Sequence, residues 1–310
     1  MRDALRPLIR AGLAEDFLFG PDAATLATID PSSRSEAVLR SRERGVVAAL
    51  AAVPLTFEEL PHALPAGSHA SHAAPTAQAA HASSAHPSSA HPSGVSVEVL
   101  VEDGDTVEPG QDLVRIAGLT ASILEAERTM LNIVSHASGI ATATRRWVDA
   151  VEGTHARIRD TRKTLPGLRE LQKYAVRCGG GVNHRMGLGD AAMIKDNHIA
   201  GVGDVAEAFG RLTTRFPDLP REIEVDTLEQ LRKLLPLRPE LILLDNFSPE
   251  QTRQAVELTH AASPETKLES SGGLSLEVAR DYAEAGVDYL AVGALTHSVR
   301  ALDVGLDFVV

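Results

Sequence analysis

From Arg157 onward the chain repeats one unit, and that repeat leaves few folds open to it. Short β-like runs recur at Ala156–Arg159, Ala192–Ile194, Ile223–Val225, Leu241–Leu244, Lys267–Leu268 and Tyr289–Val292. Helical stretches at Val205–Phe216, Leu228–Leu235, Pro249–Ala262 and Leu276–Ala285 separate several of them. Strand and helix in alternation give parallel β/α architecture, either a barrel or a doubly wound sheet. The position of the polar residues favours the barrel. Nearly every run ends in functional side chains or glycine: Asp160-Thr161-Arg162-Lys163, Lys195-Asp196-Asn197-His198, Glu224 and Asp226, Asp245-Asn246, Ser270-Ser271-Gly272-Gly273, and Gly293. In a β/α barrel these carboxyl ends form one active-site rim.

The charge on that rim indicates its ligand. Between Arg157 and Lys195 nine basic residues face three acidic ones, a net of +6 in a chain of net charge −12. An acidic chain with one cationic stretch suits a small anionic ligand better than a nucleic acid or an anionic membrane. Arg162, Lys163, Arg185 and Lys195 should converge on one mouth, with His184 alongside. Arginine forks suit carboxylate or phosphate, and lysine supplies a point charge. Asp160, Asp190 and Asp196 are available to pair these cations instead. Glu224 and Asp245 can hold sugar hydroxyls or Mg²⁺ or stabilise developing positive charge, or form salt bridges at the barrel mouth. The glycines of Ser271-Gly272-Gly273 and Gly293-Ala294 follow the last two strands, where barrels often bind phosphate through backbone N–H groups.

The N-terminal part reads differently. Ala4–Phe19 is an amphipathic helix, Ala37–Val53 reads as strands turning at Arg44-Gly45, and short strands run from Val95 to Ile116. The stretch Val95–Gly118 resembles the half-barrel of lipoyl and biotinyl carriers but has no lysine to carry the group, so it reads as scaffold. Ile123–Val151 forms one or two long helices, bent or broken at Ser138-Gly139. Residues 66–93 contain only Ala, Gly, Ser, His, Pro, Thr and Gln. Such a segment cannot bury enough surface to offset its ordering entropy and is expected to be a disordered loop. Its five histidines, His69, His72, His81, His86 and His91, have irregular spacing and no acidic or cysteine partner nearby, which favours a tolerated insertion over a metal tract. With a single cysteine, Cys178, an internal disulfide is excluded. No signal core or long apolar run is present, and a cytoplasmic location is expected.

Seven ordered motifs carry a family resemblance. They are Glu127-Arg-Thr-Met-Leu-Asn132 with Ser138-Gly-Ile-Ala-Thr142; Asp160-Thr-Arg-Lys-Thr164 with Pro166-Gly-Leu-Arg169; Lys173-Tyr-Ala-Val-Arg-Cys-Gly-Gly-Gly181; Asn183-His-Arg-Met-Gly-Leu188; Ile194-Lys-Asp-Asn-His198; Leu244-Asp-Asn-Phe247; and Val292-Gly-Ala-Leu-Thr-His297. Together they resemble the quinolinate phosphoribosyltransferases over nearly the whole chain. The resemblance implies a type II phosphoribosyltransferase: an N-terminal α+β sandwich-like domain, set at 1–122, and an incomplete C-terminal β/α barrel, set at 123–310. It also implies a homodimer or larger assembly with shared active sites. The implied reaction joins quinolinate to phosphoribosyl pyrophosphate (PRPP), with Mg²⁺ bound alongside PRPP.

Carried over residue by residue, the resemblance places Thr161, Arg162, His184 and Arg185 on quinolinate, with Arg128 reaching in from a neighbouring subunit. Lys163 and Lys195 would neutralise substrate anions. Glu224 and Asp245 would hold ribose hydroxyls, partly through Mg²⁺. Ser271, Gly272, Gly273, Val292, Gly293 and Ala294 would bind the 5-phosphate, with His297 close by. Two other readings compete: a transferase of the same fold acting on nicotinate or another base, and a non-catalytic metal-binding protein using the histidine-rich loop.

Overall fold

The computed structural model describes residues 1–65 and 94–309. The histidine-rich stretch, and with it the reading of a disordered or metal-binding tract, lies outside the described residues. The chain divides into two compact units that interleave in sequence. One comprises 1–142, 170–178 and 299–310; the other comprises 143–169 and 179–298. The expected cut between 122 and 123 falls inside a single helix, α4, that runs from Thr120 to Ala150.

In the first unit, α1 (Arg2–Asp16) buries Leu5, Ile9 and Leu13, a one-turn repeat that forms a stripe along one face. The α2 helix (Ala23–Thr28) starts at Asp22, whose carboxylate accepts the Ala24 and Thr25 N–H groups. Strands β1 (Arg34–Ser41), β3 (Ser96–Val99) and β5 (Asp112–Leu119) join the C-terminal strand Val304–Phe308 in an antiparallel sheet. Its order is C-terminal strand, β1, β5, β3. A separate pair joins β2 (Gly45–Val46) to β4 (Thr106–Val107).

One sequence expectation is corrected here and one is narrowed. The expected strands over Ala37–Val53 end at Val46, and α3 (Ala52–Ala63) begins where a strand was expected. This helix packs on α1. Arg6 and Arg10 reach across to the buried Glu59, and Arg2 and Arg6 to Glu58. Second, the break allowed at Ser138-Gly139 does not occur, and α4 runs through both residues as the single helix that was the other expected outcome. Those two residues admit neighbouring backbone instead. A Cβ on Gly139 would stand 2.3 Å from the Arg300 carbonyl oxygen, and Ser138 Oγ accepts the Ala48 N–H at 3.0 Å.

On α4, Glu125 is buried and neither carboxylate oxygen has a hydrogen-bond partner among the described residues. Burial, and then the charge of Asp22, push its carboxyl up to about 7. The unfolded chain releases this proton near the ordinary value of 4.5, so stability falls as pH rises between the two values and stays reduced above them. Glu125→Gln should therefore raise Tm at pH 8 by on the order of 4 °C and leave it unchanged below pH 4. Equal melting temperatures at pH 8 would contradict the assignment.

The second unit is a six-stranded parallel sheet in the order β6 (Arg157–Arg159), β11 (Tyr289–Ala291), β10 (Lys267–Ser271), β9 (Leu241–Asp245), β8 (Arg221–Val225), β7 (Ala192–Ile194). Cyclic strand order is the mark of a barrel. Beyond β6 a single parallel bridge, Arg159 to Val182, extends the ladder, so closure onto β7 is incomplete among the described residues. Helices α6 (Asp196–Val202) and α7 (Val205–Arg215) connect β7 to β8. The α8 (Leu228–Leu234), α9 (Pro249–Ala262) and α10 (Leu276–Glu284) helices follow β8, β9 and β10. Reciprocal capping starts α8 and α9: Thr227 with Gln230, and Ser248 with Gln251, with Pro249 in the first turn of α9. The helix between β6 and β7, α5 (Arg169–Cys178), clusters with the first unit, which leaves the barrel short of one helix. No helix of the described residues is long and apolar enough to cross a membrane.

Alternation sets the two faces of these strands. Ile223, Val225, Ile242, Leu244, Leu268 and Leu290 are buried on one side. Glu222, Glu224, Leu243, Asp245, Glu269 and Ser271 occupy the other. Contacts between residues of non-neighbouring strands, such as Arg159 on β6 with Glu269 on β10, place the second set inside the barrel. Its interior is thus charged at a level that barrels usually fill with branched aliphatics.

Candidate active site

At the carboxyl ends of β7, β8 and β9 the strands deliver Lys195, Glu224, Asp226 and Asp245. Lys195 Nζ is ion-paired with Glu224. Oxygens of Glu224, Asp226 and Asp245 all lie within 4.8 Å of one another. Burial, followed by the charges of Glu224 and Asp226, pushes the Asp245 carboxyl above its ordinary value; Lys195 and Lys163 pull it back. Three clustered carboxylates against two lysines make a site that accepts positive charge. Three hard oxygen donors also fit a Mg²⁺ ion.

A second cluster forms where β6, β10 and β11 end. A Cβ on Gly293 would meet Lys163 Cδ at 2.9 Å, His297 Nε2 at 3.4 Å and Thr161 Oγ1 at 3.5 Å, so these residues surround the glycine. Gly293 opens the one-turn helix α11 (Ala294–His297). The loop itself is tied down: Lys163 donates its N–H to Thr161 Oγ1, and Thr296 Oγ1 donates to the Lys163 carbonyl. Register places Ser271 opposite Asp245. Gly272 and Gly273 then take φ +89° and +60°, the left-handed region that only glycine enters freely.

Arg185 Nη1 donates to the Ala191 carbonyl at 3.2 Å, at the amino end of β7, and Arg185 lines a cavity with Arg221, Leu241, Lys267 and Tyr289. Burial, and next the charge of Arg162, hold the Arg185 guanidinium below its ordinary value, while Glu222 and Asp190 oppose that. Arg162 Nε is buried with no hydrogen-bond partner among the described residues. The acids that were available to pair the cations each accept backbone N–H groups, and Asp160 also accepts from the Asn183 side chain. Asp160 accepts the His184 N–H, Asp190 the Met186 and Gly187 N–H groups, and Asp196 that of Asn197. Arg169 stitches the rim by donating to Thr164 Oγ1 and the Met186 carbonyl.

Two further predicted residues have surroundings of their own. His184 is buried below the rim, and both its ring nitrogens have partners: Glu222 Oε2 at 2.6 Å from Nε2, and the Arg185 N–H at 2.7 Å from Nδ1. Arg128 projects from α4 in the first unit with two thirds of its side chain exposed, 3.9 Å from Glu127. Sequence reasoning passed over Asp226 as a member of the acidic cluster. It also passed over Glu222, Glu269 and Arg159 inside the barrel. The signal was there on β8, where Glu222, Glu224 and Asp226 recur with period two and so share one face.

Residues 140–307 match the family model "Quinolinate phosphoribosyl transferase, C-terminal domain", and residues 79–138 match the corresponding N-terminal domain. The chain is 50% identical over 305 residues to the "nicotinate-nucleotide pyrophosphorylase [carboxylating]" of Mycobacterium leprae, covering 98% of this chain and 97% of that protein. Among solved structures, NadC from Streptococcus pyogenes superposes with a TM-score of 0.83 at 32% identity, covering 100% of this chain and 99% of that one. The nicotinate-nucleotide pyrophosphorylase of Francisella tularensis gives a TM-score of 0.81 at 30% identity, with 100% and 97% covered.

Proposed function

The chain belongs to the quinolinate phosphoribosyltransferase family and converts quinolinate and PRPP to nicotinate mononucleotide in NAD biosynthesis; from that premise we propose which of its residues carry each part of the reaction. One observation supports the assignment most directly: a cationic rim and a compact acidic cluster occupy the same barrel end, and the reaction uses both. The substrates bring two carboxylates, a phosphate and a pyrophosphate. The reacting centre, by contrast, becomes positive as pyrophosphate leaves the ribose.

Arg162 and Arg185 grip the two quinolinate carboxylates, with Thr161 beside them. Two like charges held close repel each other until a dianion lies between them, so substrate binding relieves a cost the empty site carries. Lys163 and Lys195 neutralise the phosphates. The backbone of Gly272-Gly273 and Gly293-Ala294 receives the 5-phosphate, with Ser271, Val292 and His297 completing that wall. Glu224 and Asp245, with Asp226, hold ribose hydroxyls and stabilise the oxocarbenium-like ribose. The same three carboxylates would hold Mg²⁺, which when bound screens the pyrophosphate charge.

The pyridine nitrogen is the nucleophile, so no side chain need form a covalent bond. The protein's task is to align the nitrogen with the anomeric carbon and to match charge. Bond formation makes the ring a pyridinium, which accepts the electron pair as the neighbouring carboxylate leaves as CO₂. A proton then takes its place on the ring carbon. Pyrophosphate departs with the pair from the C–O bond of the ribose.

In this reading the active site is shared, with Arg128 of the partner subunit completing the quinolinate pocket. Arg128→Ala and Arg185→Ala chains should each be inactive alone. An equimolar mixture allowed to exchange subunits should regain about one quarter of wild-type activity, because half the dimers are mixed and each holds one intact site of two. No recovery in verified mixed dimers would contradict the shared site.

A further inference from the structure

Behind the rim, the barrel interior holds a set of titratable groups that the reaction does not use directly. Arg159 Nη1 donates to Glu269 Oε2 at 2.7 Å. Glu222 Oε2 lies 2.6 Å from His184 Nε2, and Glu269 Oε1 lies 3.7 Å from the same nitrogen. Glu222, Glu269 and His184 are all buried. On the far side of the imidazole the Arg185 N–H donates to Nδ1 at 2.7 Å.

That last bond matches one tautomer. A nitrogen that accepts an N–H presents a lone pair and carries no proton. In that tautomer the proton is on Nε2, with Glu222 as its acceptor. His184, Glu222 and Glu269 converge closely enough to surround a cation. A metal would need the Nε2 lone pair, however, and this tautomer does not offer it. Three bonds anchor the turn that carries Arg185: Asp160 accepts the His184 N–H, His184 Nδ1 accepts the Arg185 N–H, and Arg185 Nη1 donates to the Ala191 carbonyl at 3.2 Å. Only the middle one depends on a side chain that can switch tautomer.

We propose that Glu222 is a positioning residue for the dicarboxylate grip: by accepting the Nε2 proton it holds His184 in the tautomer whose Nδ1 fixes the Arg185 backbone, and so sets where that guanidinium meets the substrate. The proposal rests on the assignment of Arg185 to quinolinate. Glu222 also attracts the Arg185 charge through space, so the test must separate acceptor from charge.

Two variants and one spectroscopic measurement do so. Glu222→Leu removes the acceptor, and Glu222→Gln keeps an acceptor oxygen while removing the charge. Glu222→Leu should raise KM for quinolinate by about tenfold or more, the cost typical of losing an orienting partner, with KM for PRPP within about twofold of wild type. Glu222→Gln should restore quinolinate KM to within about threefold. In ¹⁵N-histidine NMR of the wild-type protein, His184 should give the Nε2–H signature, and Glu222→Gln should keep it. A wild-type ring protonated at Nδ1, or doubly protonated, would overturn the proposal. So would a Gln variant as impaired as the Leu variant, or a Leu variant that raises KM for both substrates alike. Should Glu222→Leu fail to fold, the wild-type and Gln spectra still decide. An unchanged quinolinate KM in Arg185→Ala would instead overturn the grip on which the proposal rests, a failure the spectra would distinguish.

Discussion

Arg162→Ala should lower kcat/KM for quinolinate by about 10²- to 10³-fold, or ~2.7–4 kcal/mol of transition-state stabilisation, and leave KM for PRPP nearly unchanged. The magnitude follows from where the arginine stands. Among the described residues its Nε is buried without a hydrogen-bond partner, and its charge weighs on Arg185. Such a group is held in an unfavourable state that a bound carboxylate relieves. Arg162→Lys should recover little of the loss, because a single ammonium cannot reproduce a two-pronged contact. Steady-state kinetics with each substrate varied in turn checks this. A loss that falls on PRPP and spares quinolinate would show that Arg162 serves the phosphates.

Gly272→Ala should cost about 10²-fold in kcat/KM for PRPP in a protein that still folds. The new Cβ would stand 2.2 Å from Asn246 Oδ1 and 3.0 Å from the Asn246 backbone nitrogen. Asn246 cannot simply yield. It sits at φ 55°, donates its N–H to the Ser271 carbonyl at 2.9 Å, and donates Nδ2–H to Asp245 at 2.7 Å. Moving it displaces Asp245, so one methyl group disturbs both the phosphate loop and the acidic cluster. Gly273→Ala is the internal control. Its Cβ meets open space, so it suffers only the left-handed backbone penalty, about 1–2 kcal/mol. Equal effects at the two glycines would mean that backbone strain, and not the contact with Asn246, governs the loop.

The barrel was legible because its strands and helices differ in period and are punctuated by polar ends. The α9 helix matches its sequence reading at both termini, and β7 likewise. The α3 helix was not legible. Its opening, Ala-Val-Pro-Leu-Thr-Phe, is apolar without a clear period, and the β-branched Val53 and Thr56 favour a strand. Burial against α1 and the ion pairs of Glu58 and Glu59 decide the outcome, and no local pattern reports them. Gly139 shows a related limit: glycine signals freedom or close approach equally, and only the position of Arg300 distinguishes the two.

Much of the rim was legible for the same reason as the barrel, since strand ends must converge. Lys195 with Glu224, and Thr161 and Lys163 with Gly293 and His297, come together as the topology requires. What the sequence did not disclose is depth. Alternation assigns Glu222 and Glu269 to the inner face, but not that they meet His184 and Arg159 across the barrel. That meeting depends on strand tilt and stagger, which single-strand patterns do not encode.

The measurement that tests the central claim most directly is product release from quinolinate and from nicotinate in parallel, with PRPP and Mg²⁺ present. A rim built for two carboxylates and a phosphoribosyl donor predicts CO₂ and pyrophosphate in a one-to-one ratio from quinolinate, and neither from nicotinate. Pyrophosphate released with nicotinate, without CO₂ and without a requirement for quinolinate, would contradict it.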